Sequence, residues 1–106
     1  KQLYLSNTTL TGTIPKELGS LQKLEEFSLS NTAVIGPIPK EFGNLHALIF
    51  LNLSNTALTG TIPNELGNMR KLMDFWLSGA KITGTIPSSL GNNPSLTTLN
   101  IENNEL

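Results

Sequence analysis

Two acidic residues, Glu26 and Asp74, have the spacing that comes closest to catalytic chemistry in this sequence. They occupy the same position in repeats two apart, so strands stacked about 4.8 Å from one another would bring them near the roughly 6.5–9.5 Å separation of acid and base in inverting glycosidases. Phe50 falls between them, however, and no pattern indicates that either carboxylate is buried. The sequence therefore favours two solvated acids over a catalytic pair.

Other residues suited to chemistry are sparse. His46 is the only histidine and lies in a variable stretch, where a surface role is favoured over that of a ligand or a base. Cysteine is absent, and neither a cluster with metal-ligand spacing nor a phosphate-binding loop occurs. The sequence thus predicts a protein that is not an enzyme and that has no cofactor and no metal site.

One short sequence motif recurs along the chain and indicates which elements position the side chains. Thr-Ile-Pro ends at Pro15, Pro63 and Pro87, and Pro-Ile-Pro ends at Pro39, so that the copies are 24 residues apart. A glycine directly precedes each copy, and Leu-Gly or Phe-Gly follows its proline after two intervening residues. A strict period of this length predicts a solenoid, in which each repeat, here called a rung, buries its apolar face against its neighbours.

Each rung carries the patterns of three short elements. Alternating apolar residues in the segment 24–29 and its equivalents predict half-buried strands that stack into one parallel sheet. The alternation in 58–62 predicts a second, shorter sheet on the flank, with glycine placed there for close backbone approach or for a positive φ. Proline then begins a turn in which Leu18, Leu21 and Leu24 recur at the spacing of a 3₁₀ helix.

This repeat resembles the plant-specific class of leucine-rich repeats over the whole chain, because Leu-Thr-Gly-Thr-Ile-Pro recurs almost unchanged. The resemblance implies an α/β solenoid with a concave parallel β-sheet, short flank strands and short 3₁₀ or helical turns on the convex side. The class is best known from ectodomains of plant receptor kinases, receptor-like proteins and polygalacturonase inhibitors. It therefore implies ligand recognition outside the cell.

The sequence departs from that class at the position where the family carries a ladder of asparagines. The residues found there are Thr8, Thr32, Thr56, Ala80 and Asn104. Threonine offers fewer hydrogen-bonding groups than asparagine, and alanine offers none on its side chain. We expect a threonine ladder to satisfy buried amides, with no replacement at Ala80, and we expect the asparagines that precede the threonines to face outward.

Residues 1–106 are predicted to form a single array of four rungs and the start of a fifth. No polar cap of the disulfide-bearing kind common in the family is present. Because exposed apolar rungs need capping repeats for solubility, the sequence predicts a section of a longer solenoid without caps, or one unit of an assembly.

The outward face of the third and fourth strands is predicted to carry a cluster of large apolar residues, here called the concave patch: Ile49, Phe50, Met73 and Trp76. Exposed aromatic clusters are typical of binding surfaces. Acidic neighbours favour a protein or peptide ligand that carries Lys or Arg beside an apolar group. The full set of predicted ligand-binding residues is Tyr4, Glu25, Glu26, Ile49, Phe50, Asn52, Met73, Asp74 and Trp76.

Two other functions remain open from the sequence. The first is a structural role, in which repeats stack end to end within an extracellular or cell-surface assembly. The second is ice binding, because outward Thr-x-Thr pairs at 11–13, 59–61 and 83–85 resemble those of ice-binding solenoids. Ile35 and Pro37 interrupt that array in the second rung.

Composition narrows the partners and the location. Charged residues make up 14% of the chain, the formal net charge is −1, and no basic stripe occurs, which argues against a nucleic-acid partner. No apolar stretch approaches the length of a membrane span, so membrane contact is expected only through segments outside this chain. The abundance of Thr, Asn and Ser favours an extracellular or cell-surface location.

Two N-glycosylation patterns occur, at Asn7 and at Asn52. A glycan on Asn52 would lie beside Phe50 and Trp76 and would obstruct the concave patch. Glycosylation at Asn52 and ligand binding by the patch are therefore competing predictions.

Overall fold

The computed structural model describes residues 1–106 as a stack of short rungs measuring 33 × 30 × 20 Å. Its strands are β1 (Gln2–Tyr4), β2 (Thr11–Thr13), β3 (Glu26–Ser28), β4 (Ala33–Gly36), β5 (Phe50–Asn52), β6 (Ala57–Leu58), β7 (Asp74–Trp76) and β8 (Thr98–Asn100). They form a five-stranded sheet in the order β1-β3-β5-β7-β8 and a three-stranded sheet in the order β2-β4-β6. The predicted α/β solenoid with a main sheet and a flank sheet is confirmed.

Pairing in the main sheet is parallel and keeps the 24-residue offset throughout. Glu26 pairs with Phe50, Phe50 with Asp74, and Asp74 with Thr98. Equivalent positions therefore form straight columns across the sheet, as the sequence predicted.

The core is one continuous cluster of 21 buried apolar residues that runs through the stack. The central residues of β3, β5 and β7 are Phe27, Leu51 and Phe75, and none of them is exposed. Phe42, from the turn layer, packs edge-on against Phe27 with ring centroids 5.7 Å apart, which links that layer to the sheet. Burying each of these side chains contributes about 1.5–3 kcal/mol.

The convex side consists of three 3₁₀ turns and a short helix. The turns span Lys16–Ser20, Lys40–Asn44 and Asn64–Asn68, and each follows a proline whose fixed φ suits the start of a turn. The fourth rung instead has an α-helix, α1 (Ser88–Gly91). None of these helical segments is long and apolar enough to cross a membrane.

Glycine has two separate structural roles in the rung. At Gly60 the backbone has φ +81°, and only the Pro37 Cβ lies within 4 Å of where a side chain would begin, so the left-handed conformation is what requires glycine. At Gly43 an added Cβ would lie 2.4 Å from the carbonyl oxygen of Glu65 in the next turn. Close stacking of the turns therefore requires this second glycine.

The expected threonine ladder between rungs does not form. Thr32 Oγ1 donates to the Leu29 carbonyl at 2.7 Å, within its own rung, and Thr56 Oγ1 donates in the same way to Leu53 at 2.9 Å. A threonine side chain is too short to reach the neighbouring rung while it closes its own turn. The two threonines thus satisfy groups of their own rungs, and no buried side-chain polar atom lacks a partner.

An asparagine ladder runs one position earlier, on the exposed surface. Asn31 Nδ2 donates to Asn7 Oδ1 at 2.8 Å, and Asn55 Nδ2 donates to Asn31 Oδ1 at 3.0 Å. All three residues have φ between 55° and 58°. Their predicted outward orientation is confirmed, and the side-chain bonding between them is a feature that the sequence did not predict.

The gap at Ala80 is filled from the following rung. Asn104 Nδ2 donates to the Leu77 carbonyl at 2.7 Å, the group equivalent to those that Thr32 and Thr56 serve in their rungs. Asn104 Oδ1 also accepts the Ile82 N–H at 3.0 Å. The expectation that nothing replaces the missing side chain at Ala80 was wrong, because the next asparagine is long enough to cross between rungs.

Candidate functional site

Strands β5 and β7 bring four of the predicted ligand-binding residues side by side as two cross-strand pairs. Phe50 lies opposite Asp74, and Asn52 lies opposite Trp76. Adjacent strands are about 4.8 Å apart, and positions two residues apart on one strand are separated by about 6.7 Å. Because the central residue of each strand is fully buried, alternation directs these four side chains to the concave face.

The concave patch is partly packed. Met73 is 43% exposed, whereas Ile49, Phe50 and Trp76 are half-buried. The Met73 N–H donates to the Ile49 carbonyl at 2.8 Å, which holds the two residues side by side where the strands begin. Of the four residues expected on the exposed concave face, only Met73 is exposed, and the other three are partly covered.

A shallow depression lies at the edge of the patch. Ile49, Lys71, Met73 and Ser95 line it, so apolar and cationic side chains meet there. Lys71 and Ser95 were not among the predicted site residues, because both lie in the bend before a strand and outside the alternating pattern.

The acidic residues of the second rung are already engaged by the first rung. A Glu25 carboxylate oxygen lies 3.2 Å from the α-amino nitrogen of Lys1. Glu26 accepts a hydrogen bond from the Tyr4 hydroxyl, and its other oxygen accepts one from Gln2 Nε2 at 3.3 Å. Tyr4, Glu25 and Glu26 therefore form a group of their own, one strand away from Phe50.

Asp74 differs from both glutamates. It is half-buried, and its carboxylate takes part in no hydrogen bond or ion pair within the chain. Glu26 lies two strands from it in the same column, with Phe50 between them. The two acids thus share one column two strands apart, with Phe50 at the position between them.

The convex side offers little for chemistry. His46 is exposed and borders a polar depression that Lys16, Ser20 and Asn44 also line. No group of three or more His, Cys, Asp or Glu side chains is placed to hold a metal ion.

Serine hydroxyls form a strip beside the patch, and the hydrogen bonds between them were not predicted from the sequence. Ser6 Oγ lies 2.5 Å from Ser28 Oγ and accepts from Ser30 Oγ at 3.0 Å, and Ser78 Oγ donates to Ser54 Oγ at 3.3 Å. Serine at the same position of four successive rungs was the signal in the sequence. The strip gives the concave face a polar border made of side chains that already bond to one another.

The two glycosylation patterns lie in different settings. Asn7 is exposed at one end of the asparagine ladder. Asn52 is half-buried opposite Trp76, and its Oδ1 accepts the Ser54 N–H at 3.0 Å. A glycan on Asn52 would cover the concave patch, so the competition between the two predictions stands.

Comparisons with known proteins agree with this architecture. The family described as Leucine Rich Repeat matches residues 1–21, 23–45, 47–69 and 71–93. Curated protein sequences give no match. Among solved structures, PEPR1-AtPEP1 is 38% identical with a TM-score of 0.96, over 97% of this chain and 14% of that one. The plant peptide hormone receptor RGFR1 in complex with RGF2 is 40% identical with a TM-score of 0.96, over 98% of this chain and 17% of that one.

A third structure is the Arabidopsis receptor kinase HAESA in complex with the peptide hormone IDA and the co-receptor SERK1. It is 31% identical with a TM-score of 0.92, over 97% of this chain and 17% of that one. The chain thus spans about a sixth of the length of these receptors. With repeats that match the family between Lys1 and Asn93 and a fold shared with plant receptor kinases, the chain belongs to the leucine-rich repeat family, and its repeats are of the plant type.

Proposed function

We propose that the concave face recognises a protein or peptide ligand outside the cell. The observation that carries this proposal is the pairing of Phe50 with Asp74, beside Trp76, on a surface whose alternate residues form the core. Large aromatic side chains left half-exposed on a rigid sheet are typical interface anchors, since little conformational entropy is lost when a partner covers them.

The structural relatives support this class of function. RGFR1 is a peptide hormone receptor in complex with RGF2, and HAESA is in complex with a peptide hormone and a co-receptor. These ligands are those of RGFR1 and HAESA, not of this chain. For this chain they favour an extracellular or cell-surface binding module over an enzyme.

The two alternative functions are less well supported. The RGFR1 and HAESA complexes described above favour neither alternative. On the flank sheet, Ile35 is 50% exposed and Pro37 is exposed, so the threonine surface is interrupted where an ice-binding array needs continuity.

The test is to select binders from a phage-displayed heptapeptide library on the immobilised chain and to measure their affinities for variants. Replacing both Phe50 and Trp76 with Ala should weaken the selected peptides by about tenfold or more, as expected for interface anchors. Ile35→Ala removes an equally apolar side chain from the flank sheet and should leave these affinities unchanged. Thermal unfolding of both variants controls for folding.

Two results would contradict the proposal. One is a library that yields no specific peptide. The other is a set of peptides whose binding depends on Ile35 and not on Phe50 and Trp76.

A further inference from the structure

We propose that Asp74 anchors a subsite for a cationic side chain of the ligand, arginine in preference to lysine. This inference rests on the proposed recognition by the concave face and specifies the chemistry that one position of that face selects.

The first argument is that Asp74 has no partner within the chain. Glu26 is held by Tyr4 and Gln2, whereas the Asp74 carboxylate makes no hydrogen bond and no ion pair although it is half-buried. Partial burial weakens the hydration of a carboxylate without supplying a replacement. An arriving cation restores that stabilisation through charge-assisted hydrogen bonds, which are stronger than neutral ones.

The second argument is the pair of aromatic side chains around the carboxylate. Phe50 lies opposite Asp74 on the adjacent strand, about 4.8 Å away, and Trp76 lies two residues further along β7, about 6.7 Å away. A cation bound to Asp74 is thus within reach of the indole, the aromatic ring that favours cations most. The aliphatic stem of the same side chain can pack on Phe50.

The third argument is the charge of the whole concave face. Its outward columns carry the carboxylates of Glu25, Glu26, Asp74 and Glu102 and only one ammonium side chain, Lys1. A face with this charge attracts cationic groups and disfavours acidic ones. Lys71, the cation at the edge of the patch, has no carboxylate within ion-pair distance, so it leaves Asp74 free.

Arginine fits these features better than lysine. A guanidinium group can bond both oxygens of one carboxylate while its planar face stacks on an aromatic ring. The ammonium of lysine lacks the planar fork and is more strongly hydrated.

The experiment uses the heptapeptides selected on the full chain. Those whose binding requires Phe50 and Trp76 are resynthesised with each arginine replaced by citrulline, a neutral analogue of nearly the same shape. Asp74→Asn should weaken the arginine peptides by about tenfold or more, a loss typical of one desolvated charge pair, and should abolish their advantage over the citrulline peptides. Asp74→Glu should retain part of that advantage.

Glu102→Gln is the matched control. It removes the same charge from the concave face, but at a position one strand over and four residues further along than Asp74. Its effect on affinity should stay within about threefold and should disappear at high salt, as for an exposed charge at a distance.

The outcomes separate the two proposals. Peptides that require Phe50 and Trp76 but show no enrichment in arginine or lysine would overturn the Asp74 subsite and leave concave-face recognition standing. The subsite is likewise overturned if Asp74→Asn acts no more strongly than Glu102→Gln. If no selected peptide requires Phe50 and Trp76, both proposals fall.

Discussion

Asn55 has two structural roles in its rung, one through its backbone conformation and one through its side-chain amide. Its φ of 55° lies in the left-handed region, which asparagine tolerates better than other residues with a Cβ, and its amide donates to Asn31 across the rungs. Gly79 takes the equivalent position in the next rung with φ 71° and has no side chain to continue the ladder. The ladder therefore ends at Asn55, whose Oδ1 accepts no hydrogen bond from the protein.

Extending the ladder should stabilise the protein. An added Cβ at Gly79 would lie 2.4 Å from Asn55 Oδ1, so the Asn55 side chain must rotate before the ladder can continue. With that rotation, Gly79→Asn should raise the free energy of unfolding by up to about 1 kcal/mol, because it adds one side-chain hydrogen bond and restricts the unfolded chain. Gly79→Ala should lower it by about 1–2 kcal/mol, since alanine in the left-handed region gains no bond in return. Urea denaturation measures both, and an asparagine variant no more stable than the alanine variant would contradict this explanation.

At the residue scale, the positions of the columns could be predicted from the sequence, but the bonds between individual side chains could not. The columns followed from the 24-residue period, because parallel strands preserve an offset that every repeat shares. The period did not reveal which carboxylate lacks a hydrogen-bond partner within the chain. That depends on the Tyr4 hydroxyl reaching Glu26 across one strand, a side-chain arrangement that no spacing encodes.

At the scale of elements, the turns pack more closely than their sequence suggests. Gly43 lies inside its turn, against the Glu65 carbonyl of the next one. Period and proline were enough to predict the turns themselves. Their separation was not predictable, because it is set by contacts between rungs, outside any one repeat.

Gly43 and Gly91 form a matched pair for testing this packing. Gly43→Ala should destabilise the protein by about 1–3 kcal/mol, because its Cβ would lie 2.4 Å from the Glu65 oxygen and the turns would have to separate. Gly91 is the equivalent residue in α1, where an added Cβ meets nothing within 4 Å. Gly91→Ala should therefore be neutral or stabilise by up to about 1 kcal/mol. Equal effects of the two changes in thermal unfolding would exclude close stacking as the cause.

For the whole molecule, stability comes from contacts between successive rungs. The core is one cluster, and each strand of the main sheet pairs only with its immediate neighbours. A solenoid of this kind gains stability with each internal rung that is added, as a sum of repeat and interface contributions.

Adding a rung should raise stability and cooperativity together. Inserting a second copy of residues 49–72 after Leu72 repeats the natural junction, since Leu48 also precedes Ile49. The urea midpoint should rise, and the m-value should grow by roughly a fifth to a quarter, in proportion to the surface buried. A copy with serine in place of its Leu51 and Leu53 equivalents serves as the control and should give no gain. A midpoint unchanged by the intact copy would contradict the additive description.

The regular spacing of the main sheet also determines which residues of a ligand lying across the strands can contact equivalent positions of successive rungs. Strands recur about every 4.8 Å, whereas a ligand in the polyproline II conformation advances about 3.1 Å per residue with three residues per turn, so two strand intervals match three ligand residues. Ligand side chains at positions i and i+3 then point to the same side and contact one column of the sheet two rungs apart, while the side chains between them point away. A sheet built from one 24-residue unit thus imposes a three-residue periodicity on what it reads.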